Sequence, residues 1–210
     1  MIHKMENKRA PLRILGFALV ILFIIAAMWS LVCKGSSISK RGSTPMKTKQ
    51  FVAQNPALDF TFAYPENGWI PTEAQGSAGE YDLVYLRGPV NKEVKFSTLI
   101  HVTVKPLKQN DTAANLLEAY LRTDSNLSKF KVLHKGPRKI GGINAAEAFY
   151  EYESFPLYDM RAKPVFLRGT RVYLIRKDRS YEFEFEALAS EYDAYVAVLE
   201  EVLKTVEFKN

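Results

Sequence analysis

Two histidines, three alternating glutamates and a glycine pair are the residues of the C-terminal part of this chain whose types and spacing could do chemistry. His101 stands out of phase with the stripe Val94, Phe96, Thr98, Ile100, Val102 and Val104, so it belongs to the opposite face of the same strand. His134 stands alone in a second strand. A catalytic imidazole needs a partner within hydrogen-bond reach. The sequence places none beside either, and both read as surface or core-edge residues. Glu182, Glu184 and Glu186 alternate with Tyr181, Phe183 and Phe185, which sets three carboxylates on one strand face, about 7 Å apart. Such a row could gather a cation or a basic partner, but hard cations ask for more oxygen ligands than it offers. A hairpin centred on Asp178-Arg179 sets Arg171 opposite Glu186, as a solvated cross-strand pair. Gly141-Gly142 lacks the Lys and Ser/Thr of a phosphate loop and reads as a tight reversal. No G-x-S-x-G, Walker, H-E-x-x-H or G-x-G-x-x-G pattern occurs. The lone Cys33 allows neither a disulfide framework nor a thiolate metal site. No catalytic, cofactor or metal-binding residue is therefore assigned, and the chain reads as non-enzymatic.

A different kind of site is suggested by Ser154 to Pro164, SFPLYDMRAKP. Loops are generally polar, yet this one sets Phe155, Leu157, Tyr158 and Met160 between two prolines. An apolar patch on a stiff loop suits docking to a partner. The same residues could instead fold back over a sheet edge. Phe155, Leu157, Tyr158 and Met160 are the candidate partner-binding residues.

What positions these residues begins with Ile14 to Val32, an uncharged apolar run ending at Cys33. At about 1.5 Å per residue its length approaches the roughly 30 Å of a bilayer core, so residues 14–33 read as one transmembrane helix. A cleavable signal would have a shorter core, although Gly35-Ser36-Ser37 offers a small-x-small pattern. A soluble buried helix would keep a polar stripe. Cys33 lacks the preceding Leu and Gly or Ala of a lipoprotein signal.

The chain is +6 overall, but the excess is confined to its start. Residues 1–50 hold nine Lys and Arg against Glu6, while 51–210 hold 20 basic and 22 acidic side chains and come to −2. A domain so balanced lacks the basic face that nucleic-acid binding requires. Lys4, Lys8, Arg9 and Arg13, in a basic tail over 1–13, predict a cytoplasmic N-terminus and an extracytoplasmic C-terminal domain. Lys34, Lys40, Arg41, Lys47 and Lys49, on the other flank, weigh against that orientation. Residues 34–50, rich in Ser, Gly, Lys and Thr, read as a flexible basic linker.

Residues 51–210 suffice for one domain. Leu58 to Tyr64 alternates as a strand stopped by Pro65; residues 72–82 read as a loop; Leu83 to Arg87 reads as a short strand closed by Gly88-Pro89. Lys92 to Lys105 reads as a long strand ended by Pro106. A helix follows, capped by Asp111 or Thr112, with Leu116, Leu117, Tyr120 and Leu121 inward. Four strands come next: Phe130 to Lys135, Ala145 to Tyr152, Phe166 to Lys177 and Tyr181 to Ala187. A last helix starts at Ser190 with Asp193 as a capping-box partner, and buries Tyr192, Tyr195, Val196, Leu199, Val202, Leu203 and Val206. The order predicts an α+β fold, an antiparallel β-sheet flanked by helices.

Phe60-Thr61-Phe62-Ala63-Tyr64-Pro65 followed by Gly68-Trp69 resembles the F-x-Y-P…GW opening of PsbP-like domains. Gly141-Gly142 before Ala145-Ala146-Glu147, Thr170-Arg171-Val172-Tyr173, and the closing Thr205-Val206-Glu207-Phe208 are similar in kind. The resemblance spans about 58–208 and implies an α/β/α sandwich. Its members are mostly non-enzymatic: an extrinsic photosystem subunit, a nuclear regulator of a small GTPase, and bacterial envelope proteins of the DcrB-like type. With a membrane helix in place of a targeting peptide, the resemblance implies a binding or assembly accessory to an envelope membrane complex. A small-ligand or cation-binding domain, using the Trp69 region or the glutamate row, is the alternative.

Overall fold

A computed structural model describes residues 46–76, 80–155 and 163–209. The apolar run 14–32 lies outside them, and no helix among the described residues is long and apolar enough to cross a membrane.

In chain order the elements are β1 (Thr48–Val52), β2 (Phe60–Pro65), β3 (Ile70–Gln75), β4 (Asp82–Asn91), β5 (Phe96–Pro106), α1 (Ala113–Asp124), β6 (Lys131–Ile140), β7 (Ile143–Ser154), β8 (Val165–Arg176), β9 (Arg179–Leu188), α2 (Tyr192–Thr205) and β10 (Glu207–Phe208). Seven strands form one antiparallel sheet in the order β3-β4-β5-β9-β8-β7-β6. A three-stranded sheet, β1-β2-β10, makes a smaller layer. The α+β expectation holds, with a helix on each face of the large sheet: α1 over β7 and β8, α2 between β2 and β9.

The main core lies on the α2 side. Phe60 and Phe62 from the small sheet meet Ile100, Val102, Phe183 and Phe185, and α2 closes the layer with Leu199, Val202 and Leu203. On the other face α1 buries Leu117 and Leu121 against Ala148 and Tyr173, and Tyr150, Tyr152, Leu167 and Leu188 form an adjoining cluster. Thr112 caps α1, its hydroxyl accepting from the Asn115 amide at 3.1 Å.

Several local expectations are revised. The first strand starts at Thr48, inside the segment 34–50 read as linker; only Phe51 of β1 is buried, so main-chain pairing with β2 orders these polar residues rather than apolar burial. Residues 72–75 pair with β4 instead of forming a loop. β4 does not stop at Gly88-Pro89 but shifts register between Arg87 and Val90, because Gly88 gives its space to the Trp69 ring; a Cβ there would sit 2.7 Å from that ring. The stripe of β5 divides. Residues 92–95 are a turn with Lys95 at φ 54°, so Val94 and Phe96 pack with Tyr152 and Leu188, while Ile100, Val102 and Val104 enter the main core. Ser190 does not cap α2, which begins after Glu191 with no side-chain cap; its entry is set by Tyr192, buried against Phe149 and Phe185 and hydrogen-bonded to Thr170.

Candidate functional site

The glutamate row does not face water. The β8–β9 loop is Lys177-Asp178, with Lys177 at φ 55°, so the ladder pairs Arg171 with Glu184 rather than with Glu186. A two-residue hairpin needs positive φ in its loop. No glycine stands there to mark the turn position. The register differs by two residues, which preserves the face of every side chain but changes each partner.

That face is covered by the C-terminal half of α1. Arg171 is 5 % exposed, Glu182 8 % and Glu184 9 %, so the expected solvated pair is a buried ionic cluster. The Arg171 guanidinium forks to Glu182 and Glu184 and stacks over the Tyr120 ring. Glu184 also accepts from the Tyr150 hydroxyl at 2.9 Å and the Tyr120 hydroxyl at 3.4 Å, while Tyr152 donates to Glu186 at 2.8 Å. Burial raises Tyr120, Tyr150 and Tyr152 well above the usual phenol range, so all three remain donors at neutral pH.

His101 stands at the rim of this cluster. Its Nδ1 lies 3.4 Å from the second oxygen of Glu184, and the Tyr85 ring meets it edge-on, 4.9 Å between centroids. Burial, followed by the Arg171 charge, lowers its pKa, outweighing the opposing pull of Glu186 and Glu182. At neutral pH the imidazole is uncharged, and its buried Nε2 has no hydrogen-bond partner. The cluster brings His101 and the glutamates together as the sequence could not foresee. Its carboxylates are nevertheless engaged by Arg171 and the tyrosines, so the cluster is a charge-paired clasp between β8 and β9 that α1 touches through Tyr120.

The N-terminal half of the same helix stands over a hollow. A cleft of about 650 Å³ runs between Ala113, Ala114 and Leu117 on α1 and Pro137, Ala145, Ala146 and Ile175 on the sheet. Its surface is mainly apolar, and the Lys135–Glu118 ion pair at 2.5 Å crosses its rim. Sequence reasoning missed this cleft. The one available signal was the pairing of two small residues on the helix, Ala113-Ala114, with two on the strand, Ala145-Ala146, which leaves volume unfilled.

The remaining expectations fall as follows. Phe155 is half-buried just past β7; Leu157, Tyr158 and Met160 lie outside the described residues. The rung Ser154↔Val165 fixes both ends of that loop, and Phe166, one residue beyond, is 44 % exposed with Lys129 over its ring. Trp69 is buried at 6 % between Gly88 and Tyr195 and serves the core, so it is not a ligand-stacking surface. His134 is exposed on β6. Gly141 and Gly142 take φ of 54° and 82° in the β6–β7 turn, as expected of a tight reversal. Among the described residues no three His, Cys, Asp or Glu side chains converge where a metal ion could sit.

No protein-family model matches the sequence, and no curated protein is similar to it. Among solved structures, cyanobacterial PsbP (CyanoP) from Synechocystis sp. PCC 6803 superposes with a TM-score of 0.52 at 12 % identity, covering 80 % of this chain and 95 % of that one. A protein of unknown function from Pseudomonas aeruginosa, PA94, gives 0.50 at 10 % identity, over 78 % and 98 %. At such identities the likeness is one of fold alone, and in fold it agrees with the F-x-Y-P…GW resemblance.

Proposed function

Starting from a PsbP-like fold, we propose that this chain is a non-enzymatic accessory subunit: a binding domain held on a single N-terminal membrane anchor, extracytoplasmic, which docks an integral membrane protein of the cell envelope. The docking site is the 154–164 loop with Phe155, Leu157, Tyr158 and Met160. One observation carries this reading. The loop springs from a closed rung of a seven-stranded sheet, Ser154↔Val165, beside the exposed Phe166 and the Lys129–Glu153 ion pair at 2.8 Å. A paired base confines the two ends of the loop before any partner is met, which lowers the entropic cost of docking.

The test is purification of the full chain from its native membranes in mild detergent, beside a variant carrying Phe155→Ser, Leu157→Ser, Tyr158→Ser and Met160→Ser. A membrane protein that stays with the first at high salt and is lost from the second, at equal thermal stability, supports the reading. Retention of that partner by the variant refutes the loop as the contact.

The cleft beneath α1 favours a second reading, a small apolar ligand, because its volume falls within the range of small-molecule sites. Ala146→Trp would fill it. Native mass spectrometry of protein taken from its own membranes would then show a bound mass in the original chain and none in the variant.

A further inference from the structure

We infer that the domain rests one particular end on the bilayer surface, seated by Met46, Ile70, Val90 and Phe166 within a basic surround. This goes beyond the docking role and rests on the anchored reading of residues 14–33.

The strand register defines the two ends. Thr48 pairs with Pro65, so the chain leaves the domain toward the anchor where β2 stops. Pro65 leads through Gly68 and Trp69 to Ile70, and Trp69 lies against Gly88, which brings this corner beside Val90. Val90 pairs with Ser97; across β9 and β8 the same end carries Leu188↔Leu167 and then the closing rung Ser154↔Val165. The turn holding Leu127 joins it through Ser128, whose carbonyl accepts from the Glu153 amide. The opposite end holds Asp59, Arg176 and the Lys177-Asp178 turn, about 30 Å away along β9.

Exposed apolar surface is concentrated at the tether-bearing end. Of the seven large apolar side chains that stay exposed among the described residues, six are there: Met46 at 44 %, Ile70 at 65 %, Val90 at 55 %, Leu127 at 40 %, Val132 at 37 % and Phe166 at 44 %. Charge follows the same axis. Exposed Arg87, Lys92, Lys95 and Lys131 stand there against exposed Glu93 and Asp193, while Lys49 with Glu66 at 3.5 Å and Lys129 with Glu153 at 2.8 Å offset each other. Residues 51–210 as a whole are −2, so this end is basic against the average of its own domain. Apolar side chains ringed by Lys and Arg match an anionic lipid surface, where tails and headgroups meet the two in turn.

Chain length selects the bilayer as occupant. From Val32 to Met46 is 14 residues, which even fully extended reach no more than about 50 Å. A surface held that near has an effective local concentration on the order of millimolar, so a patch too weak to bind membranes untethered is still occupied.

The test uses the full chain with Cys33→Ser, reconstituted in vesicles of phosphatidylcholine with phosphatidylglycerol. A fluorophore is placed in turn on Ile70→Cys, Val90→Cys and Asp178→Cys, all at exposed sites. Lipid-borne nitroxide is expected to quench positions 70 and 90 several-fold more than position 178, and aqueous iodide to show the reverse. Adding Arg87→Glu, Lys92→Glu and Lys95→Glu should abolish the difference. Equal lipid quenching at all three positions overturns the inference while leaving the anchor in place. Failure of the chain to float with the vesicles removes the anchor and the inference together, and is told apart by that readout.

Discussion

Replacing Arg171 with Met isolates what the buried ionic cluster contributes. Methionine keeps most of the stem volume but leaves Glu182 and Glu184 on a covered face with no cation between them, and strips the stacking partner from Tyr120. Removing one partner of a buried ion pair costs about 3–5 kcal/mol, because the remaining charge stays desolvated. With a urea slope near 2 kcal/mol/M, the unfolding midpoint of residues 46–210 should fall by about 1.5–2.5 M at pH 7. The penalty should shrink on acidification. Neutralising a carboxylate that has lost its cation removes the charge that must otherwise stay desolvated. Adding Glu182→Gln and Glu184→Gln to Arg171→Met should restore most of the loss at pH 7, since the uncompensated charge is then gone. Urea titrations followed by circular dichroism at pH 4.5 and pH 7 measure all of this. A midpoint shift below about 0.5 M, or a penalty equal at both pH values, would refute the account of the cluster as a charge-paired clasp.

Gly169→Ala should destabilise the domain by about 1–3 kcal/mol, because the added methyl meets the Tyr150 ring, which is fully buried and tied to Glu184; thermal unfolding by calorimetry checks this. The lowered pKa of His101 means that the unfolded chain binds more protons below pH 6.5 than the folded one. Stability is therefore lost as pH falls through that window, and His101→Gln, still facing Arg171, Glu182, Glu184 and Glu186, should flatten the slope measured by urea unfolding between pH 5.5 and 7.5.

Periodicity determined the helices and the longer strands, though not β1, β3 or β10: strict alternation in Tyr181 to Glu186 reads as a strand with an aromatic and an acidic face, and Leu117 and Leu121, one turn apart, as a helical stripe. Residue chemistry also marked the Gly141-Gly142 reversal and the uncharged run before the domain. Which face of a strand is covered is not a property of that strand. Glu182 and Glu184 look solvated by pattern, and become buried because α1 crosses their face and Arg171 arrives from the neighbouring strand to neutralise them. The cleft was hidden for the same reason, since an unfilled volume exists only between elements far apart in sequence. Register was decided by a backbone conformation at Lys177, a residue that carries no turn signal, and the extension of β4 through Gly88-Pro89 by the need of Trp69 for space. Local order is written in local residues, whereas burial, pairing and the gathering of exposed side chains at one end of the domain depend on contacts that only the folded chain creates.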